Sequence, residues 1–218
     1  MTAWIVGAGA QGRVVLDALR AGGRHASICF VDDNAALQGT RVNGAEIIGG
    51  LEAALASGCK EVEMIVAIGH PLERMRLGSL IAERGMRLTN AIHPSAVIAK
   101  GATIGCGNFI GPQAVVYEGA RVGNHAVLNV GVIADHDTVV EDGAALAAGA
   151  ILSSRAHLEP SSFLCSGAIV TSRVRIGRGT VVAAGAVAMK DLPEYVLAWG
   201  NPARVMERIP DFDWKRVL

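Results

Sequence analysis

The chain has 218 residues, of which 51% are hydrophobic and only 4% aromatic, and its 20 basic and 20 acidic side chains leave no formal net charge. A neutral chain lacks the broad positive field typical of proteins that bind nucleic acid or anionic membranes, so neither function is indicated. No apolar run approaches the roughly 20 residues that span a bilayer. The amino-terminal residues do not resemble a secretion signal, and the four cysteines lack metal-ligand spacing. We therefore expect reduced thiols and a cytoplasmic protein.

The first ninety residues predict a small α/β domain. Strands are expected at 3–6, 27–31 and 63–68, and helices at 13–19 and 71–84. Strands that alternate with helices indicate a parallel sheet, and ligands of such sheets bind at the carboxyl ends of the strands. The three strand ends are polar or glycine-rich: Gly7 to Gly12, Asp32-Asp33 and Gly69-His70. We expect them to converge on one crevice.

The turn after the first strand has the spacing Gly7-x-Gly9-x-x-Gly12, with Asp32 twenty positions after the last glycine. This spacing matches a dinucleotide fingerprint, in which backbone amides and a helix N-terminus approach a phosphate. The domain is short for a complete NAD-binding fold, and such a turn can also be purely structural. The turn favours a nucleotide or nucleotide-sugar phosphate, while an NAD-dependent oxidoreductase stays open as an alternative.

The middle of the chain is a six-residue repeat. From Ile92 onward an aliphatic or small residue returns at every sixth position, in sixteen frames without an insertion. This period fits a chain that makes a short strand and a corner every six residues, so that eighteen residues complete a triangular coil. Glycine stands fourth in nine frames, where a corner can use a positive φ. The pattern predicts an all-β, left-handed parallel β-helix over 91–190, after an α/β domain over 1–90 and before a cap segment over 191–218.

One frame breaks the repeat, and it carries a histidine beside an aspartate. Ala134 opens the only frame that does not begin with Ile, Leu or Val, and His136-Asp137 follows it. Because breaks in a structural pattern often mark functional sites, we predict that His136 is a general base oriented by Asp137. Adding eighteen positions puts Arg155 one coil beyond Asp137, so the aspartate can instead simply neutralise that arginine. The spacing of the other histidines predicts no metal site.

Several segments together resemble a known family. The repeats, Asn129-Val130-Gly131 ahead of His136-Asp137, and Gly200-Asn201-Pro202-Ala203-Arg204 resemble hexapeptide-repeat acyltransferases. The opening Ile5-Val6-Gly7-Ala8-Gly9 narrows the resemblance to the sialic-acid O-acetyltransferase family, which includes N-acetyltransferases of nucleotide-linked 4-amino sugars from the bacillosamine and perosamine pathways. The resemblance covers essentially the whole chain. It implies a homotrimer that binds acetyl-CoA between adjacent β-helices and acetylates a nucleotide-linked 4-amino sugar, with His136 as the base.

The resemblance and the expected crevice together assign ligand contacts. Cofactor contacts are implied for Asn129, Ser154, Arg155, Ser166 and Ala184. Substrate contacts are implied for Gly9, Ala10, Gln11, Gly12, Arg13, Asp32, Asp33, Gly69 and His70. Ala145 stands where many family members carry a second histidine that touches the acetyl group. Two alternatives remain: a sugar O-acetyltransferase that uses the same base, and a non-catalytic trimeric scaffold. At the end of the chain, Phe212 and Trp214 are expected to cover the open end of the coil.

Overall fold

The computed structural model describes residues 1–59 and 61–210. Its N-terminal part runs β1 (Thr2–Val6), α1 (Ala10–Gly22), β2 (Ser27–Val31), β3 (Arg41–Val42), β4 (Ala45–Glu46), α2 (Leu51–Ala56), β5 (Val62–Val66), α3 (Pro71–Glu83) and β6 (Arg87–Leu88). A parallel sheet has the strand order β2-β1-β5-β6, with Ile5 of β1 opposite Phe30 and Ile65. The predicted α/β domain is confirmed. The β3–β4 hairpin, α2 and β6 were not expected, because each is too short to produce a hydrophobic period.

The repeats form a β-solenoid whose two-residue strands, β7 to β23, make three faces. The domain-facing face contains β7 (Ala91–Ile92), β10 (Phe109–Ile110), β13 (Val127–Leu128), β16 (Ala145–Leu146), β19 (Phe163–Leu164) and β22 (Val181–Val182). The apolar face contains β8 (Val97–Ile98), β11 (Val115–Val116), β14 (Ile133–Ala134), β17 (Ile151–Leu152), β20 (Ile169–Val170) and β23 (Val187–Ala188). The polar face contains β9 (Thr103–Ile104), β12 (Arg121–Val122), β15 (Val139–Val140), β18 (His157–Leu158) and β21 (Arg175–Ile176). The predicted triangular coil of eighteen residues is confirmed.

The solenoid core is built from the second residue of each strand and the small residue four places later. Leu128, Leu146 and Leu164 stack in successive coils and are fully buried, with Ala126 and Ala144 beside them. The first residue of each strand therefore points outward, since neighbouring strand residues alternate between the two sides of a sheet. Each face contains one strand per coil of eighteen residues, so the first residue of that strand determines whether the face is apolar or polar.

The fourth place of the repeat is a left-handed corner for glycine and non-glycine residues alike. Positive φ angles occur at eight of the glycines in this place and also at Gln113, His125, Asp137, Arg155, Ser161 and Arg173. The corner conformation is thus imposed by the stacking of coils, because from His125 onward each of these corner amides donates to a carbonyl of the coil before it, as Arg155 N does to His136 O at 3.0 Å. Asp137 is held in this conformation at φ 59°.

Two further strands, β24 (Val196–Gly200) and β25 (Ala203–Arg208), extend the domain-facing sheet. They form an antiparallel hairpin whose turn contains a cis Asn201–Pro202 peptide bond. The predicted cap residues Phe212 and Trp214 lie outside the described residues. Within the described ranges no helix is both long and apolar enough to cross a membrane.

The N-terminal domain packs on the domain-facing face and on the corner beside it. Phe109 and Ala91 of this face share a hydrophobic cluster with Ile5 and Leu16. Along the neighbouring corner, α3 approaches so closely that a Cβ atom added at Gly78 would lie 2.1 Å from the His125 ring. This packing brings the carboxyl ends of β1, β2 and β5 over the outer surface of the solenoid.

Candidate active site

A cavity of about 560 Å³ lies between the sheet of the N-terminal domain and the solenoid. Its domain wall is formed by Gly7, Gly9, Ala10, Gln11, Asp32, Ala67, Ile68, Gly69 and Arg74. Its solenoid wall is formed by Val127, Asn129, Ala145, Leu146, Ala147 and Phe163. The predicted convergence of three strand ends on one crevice is confirmed. The solenoid wall was missed, although apolar residues at eighteen-residue spacing in the first place of the repeat, such as Val127, Ala145 and Phe163, mark a covered face.

The glycine-rich turn presents the N-terminus of α1 to this cavity. Gly9 is the N-cap of α1, and a Cβ atom added there would meet no atom within 4 Å. No acidic side chain lies in the first turn of α1, so the partial positive charge of the helix is not offset there. Gly12 has another role, since its added Cβ would lie 2.1 Å from Gly7 O, where α1 packs against the turn. The arrangement suits an anionic group such as a phosphate.

Gln11 and Asp32 supply the polar side chains of the domain wall. The Gln11 Nε2 atom is buried and has no hydrogen-bond partner among the described residues. One Asp32 carboxylate oxygen accepts from the Ala8 amide at 2.9 Å, and the other accepts from the Asn34 amide at 2.9 Å. An unpaired buried donor costs free energy, and a ligand that accepts its hydrogen bond removes that cost.

Four of the predicted substrate residues do not line the cavity, namely Gly12, Arg13, Asp33 and His70. The Asp33 carboxylate accepts a hydrogen bond from the Leu51 amide at 2.7 Å and so stabilises the first turn of α2. His70 is the N-cap of α3, where its Nδ1 accepts from the Glu73 amide at 3.3 Å. Strand-end position alone cannot separate residues that face the crevice from residues that cap the next helix.

His136 and Asp137 lie at the corner between the apolar and polar faces. His136 Nδ1 is 3.0 Å from an Asp137 carboxylate oxygen, and Arg155 Nε is 3.5 Å from the same oxygen. The hydrogen bond with His136 lowers the pKa of Asp137, and the charge of Arg155 adds to this effect. Both predicted pairings of Asp137 therefore coexist. With 43% of its side chain exposed, His136 is open to a reactant from outside the chain.

The predicted cofactor residues are divided between two corners of the solenoid. Ser154 and Arg155 lie one coil beyond His136, and the Ser154 hydroxyl is 3.1 Å from that of Ser172 in the following coil. Asn129, Ser166 and Ala184 lie at the corner between the domain-facing and apolar faces, and only Asn129 lines the cavity. One chain thus carries the cavity and His136 at opposite edges of its apolar face.

The apolar face between these corners has an uncharged outer surface. Its outward residues are Val97, Val115, Ile133, Ile151, Ile169 and Val187, and each is partly or largely exposed. By contrast, the polar face presents Arg121, His157 and Arg175. Among the described residues, no three His, Cys, Asp or Glu side chains come together as metal ligands.

Comparison with known proteins places this arrangement in a family. The family model for the PglD N-terminal domain matches residues 3–79. A mutant of perosamine N-acetyltransferase from Caulobacter crescentus, solved with CoA and GDP-perosamine, is 32% identical, with a TM-score of 0.88 and coverage of 95% of this chain and 97% of that one. The acetyltransferase domain of PglB from Neisseria gonorrhoeae, solved with acetyl coenzyme A, is 31% identical, with a TM-score of 0.89 and coverage of 94% and 98%.

A third solved structure, WeeI from Acinetobacter baumannii, is 26% identical over 94% of this chain and all of its own, with a TM-score of 0.87. No curated protein matches the chain. The matches to solved structures extend over the N-terminal domain and the solenoid together, so the resemblance seen in the sequence is confirmed. The chain belongs to the family of hexapeptide-repeat acetyltransferases of nucleotide-linked amino sugars.

Proposed function

We propose that this protein transfers an acetyl group from acetyl-CoA to the amino group of a nucleotide-linked 4-amino sugar. The observation that carries the proposal is the match, over 95% of the chain, to a perosamine N-acetyltransferase whose structure holds CoA and GDP-perosamine. Acetyl-CoA and nucleotide sugars are both cytoplasmic metabolites, which supports a cytoplasmic location. The region 1–90 binds the nucleotide sugar, the region 91–190 carries the acetyl-transfer site, and the region 191–218 caps the solenoid.

The nucleotide sugar binds in the cavity between domain and solenoid. The N-terminus of α1 and the backbone amides of the glycine-rich turn hold its phosphates. The unpaired Nε2 of Gln11 and the carboxylate of Asp32 are available to polar groups of the ligand. The apolar solenoid wall, which includes Val127 and Phe163, gives the rest of the ligand a surface to pack on.

The complete active site forms between copies of the chain. In one chain the cavity lies at one edge of the apolar face, and His136 lies at the other. Burying the apolar face against neighbouring copies removes its valines and isoleucines from water. A closed ring of three triangular solenoids brings the His136 corner of one copy beside the Asn129 corner of the next, and acetyl-CoA lies in the groove between them.

His136 is the general base of the transfer. Its Nδ1 is held by Asp137, so its Nε2 is free to accept a proton from the sugar amine as the nitrogen attacks the thioester carbonyl. The backbone amide of Ser154, one coil on, stabilises the oxyanion of the tetrahedral intermediate. When that intermediate collapses, the carbon–sulfur bond breaks and the imidazolium returns the proton to the leaving thiolate.

The test is thiol release from acetyl-CoA with a panel of UDP-, GDP- and dTDP-linked 4-amino sugars. We expect turnover with one nucleotide, reduced about 100-fold or more in His136→Asn, since general-base catalysis typically contributes 10²–10⁴-fold. His157→Asn is the matched control, because His157 lies on the polar face and pairs with Glu141. If no panel member is acetylated but CoA still binds, an O-acetyltransferase is indicated instead. If no member is acetylated and CoA does not bind, the protein is a non-catalytic scaffold.

A further inference from the structure

Arg74 lies in the first half of α3 and is the most deeply buried charged side chain of the cavity wall, with 1% of its surface exposed. We infer that Arg74 is a positioning residue that sets the width of the nucleotide cavity, because it hydrogen-bonds both to the domain wall and to the solenoid corner two residues before Val127 and Ala145 of the solenoid wall. This inference rests on the proposed function for the identity of the ligand. Nothing in the sequence distinguishes this arginine from the others of the chain.

The contacts of Arg74 join the N-terminal domain to the solenoid. Its Nη1 donates to Ile68 O at 2.8 Å and to Gly69 O at 2.7 Å, and both of these residues line the cavity. Its Nε donates to His125 O at 2.8 Å and its Nη2 to Gly143 O at 2.9 Å. His125 and Gly143 are eighteen residues apart and lie at the same corner of successive coils. One planar group therefore fixes the turn after β5 against two coils of the solenoid.

No other side chain can make this set of contacts. Only guanidinium has five donors in a rigid planar fork, whereas the three donors of lysine radiate from a single atom. None of the ion pairs among the described residues includes Arg74, so its charge is balanced by carbonyl dipoles alone. Burial lowers the pKa of Arg74 to about 10, which still leaves it protonated at neutral pH. The positive charge also favours an anionic ligand in the cavity beside it.

The packing around Arg74 leaves α3 little freedom to move. A Cβ atom at Gly78 would lie 2.1 Å from the His125 ring, and one at Gly107 would lie 2.4 Å from the same ring. One helical turn before Gly78, Met75 lies against Gly143. A helix seated this closely transmits any change at Arg74 to the cavity wall, because close-packed contacts do not yield independently.

The experiment compares Arg74→Met and Arg74→Lys with the wild-type trimer. Arg76→Met is the control, because Arg76 lies two residues further on α3, is exposed and pairs with Glu73. Binding of UDP, GDP and dTDP and binding of CoA are measured by calorimetry, together with amide hydrogen exchange across residues 67–70. We expect both Arg74 variants to weaken nucleotide binding about tenfold or more, which corresponds to about 1.4 kcal/mol, with CoA affinity unchanged. Exchange across residues 67–70 should accelerate while that of β1 does not.

The outcomes are distinct. Unchanged nucleotide affinity and unchanged exchange in folded variants would overturn the inference, as would an equal loss of CoA and nucleotide binding. If Arg74→Met does not fold, Arg74→Lys decides, and failure of both to fold would make Arg74 a folding residue rather than a positioning residue. If the wild type binds no nucleoside diphosphate, the proposed substrate class fails, whereas hydrogen exchange across residues 67–70 still decides the role of Arg74.

Discussion

Gly9 and Gly12 belong to one sequence motif, yet the structure predicts opposite consequences for the same substitution at each. A Cβ atom at Gly12 would lie 2.1 Å from Gly7 O and 3.0 Å from the Phe30 ring, whereas real Cβ contacts are essentially never closer than 3.0 Å. The first contact is with backbone, so Gly12→Ala must move α1 away from the turn by the 0.9 Å difference between these distances. Overpacking of this kind costs about 1–3 kcal/mol.

For a chain of this size each kilocalorie lowers the melting temperature by about 2–4 °C, so we expect Gly12→Ala to melt about 2–12 °C below the wild type. Gly9→Ala should melt close to the wild type. Its φ of −75° suits alanine, and the weaker N-cap is offset by the lower entropy of the unfolded chain. Thermal unfolding at equal protein concentration measures both variants. A Gly12→Ala protein as stable as the wild type, or a Gly9→Ala protein as unstable as Gly12→Ala, would refute this steric reasoning.

Three further results are expected. Gly9→Ala should bind nucleoside diphosphate more weakly despite its normal melting temperature, because a methyl group there stands between the turn and a phosphate; calorimetry measures this. Asp137→Asn should lower kcat about tenfold or more while Arg155→Gln changes it little, and equal effects in the thiol-release assay would mean that the aspartate only balances the arginine. Ile133→Glu should yield monomers without activity because it buries a charge in the interface between copies, whereas Val139→Glu on the polar face should remain trimeric by light scattering.

The solenoid could be predicted from the repeat because every coil places its core residues at the same positions of the six-residue frame. Inward residues such as Leu128 and Leu146 recur at eighteen positions, so periodicity alone predicts both strand and corner. The same addition correctly placed Arg155 beside Asp137. The N-terminal sheet was predicted from its apolar runs, but the short α2 and the β3–β4 hairpin were not, since two to six residues carry no measurable period.

The sequence predicted the domain wall of the cavity but not its solenoid wall. The glycine-rich turn, Asp32 and Gly69 were placed at the crevice because strand ends in a parallel sheet meet at one edge. Asp33 and His70 also follow strands, yet their side chains accept hydrogen bonds from backbone amides at the first turns of α2 and α3. The backbone that follows the strand therefore decides which side chain faces the crevice.

The sequence by itself determined the architecture, since hydrophobic periods of six residues and alternating strands and helices are local patterns. It also singled out His136, because the break in the repeat lies within a single frame. Only the tertiary structure revealed the solenoid wall of the cavity, the separation of that cavity from His136 within one chain, and the bridging role of Arg74. These features depend on contacts between residues 50 or more positions apart, such as the hydrogen bonds from Arg74 to His125 and Gly143, and no local pattern encodes them.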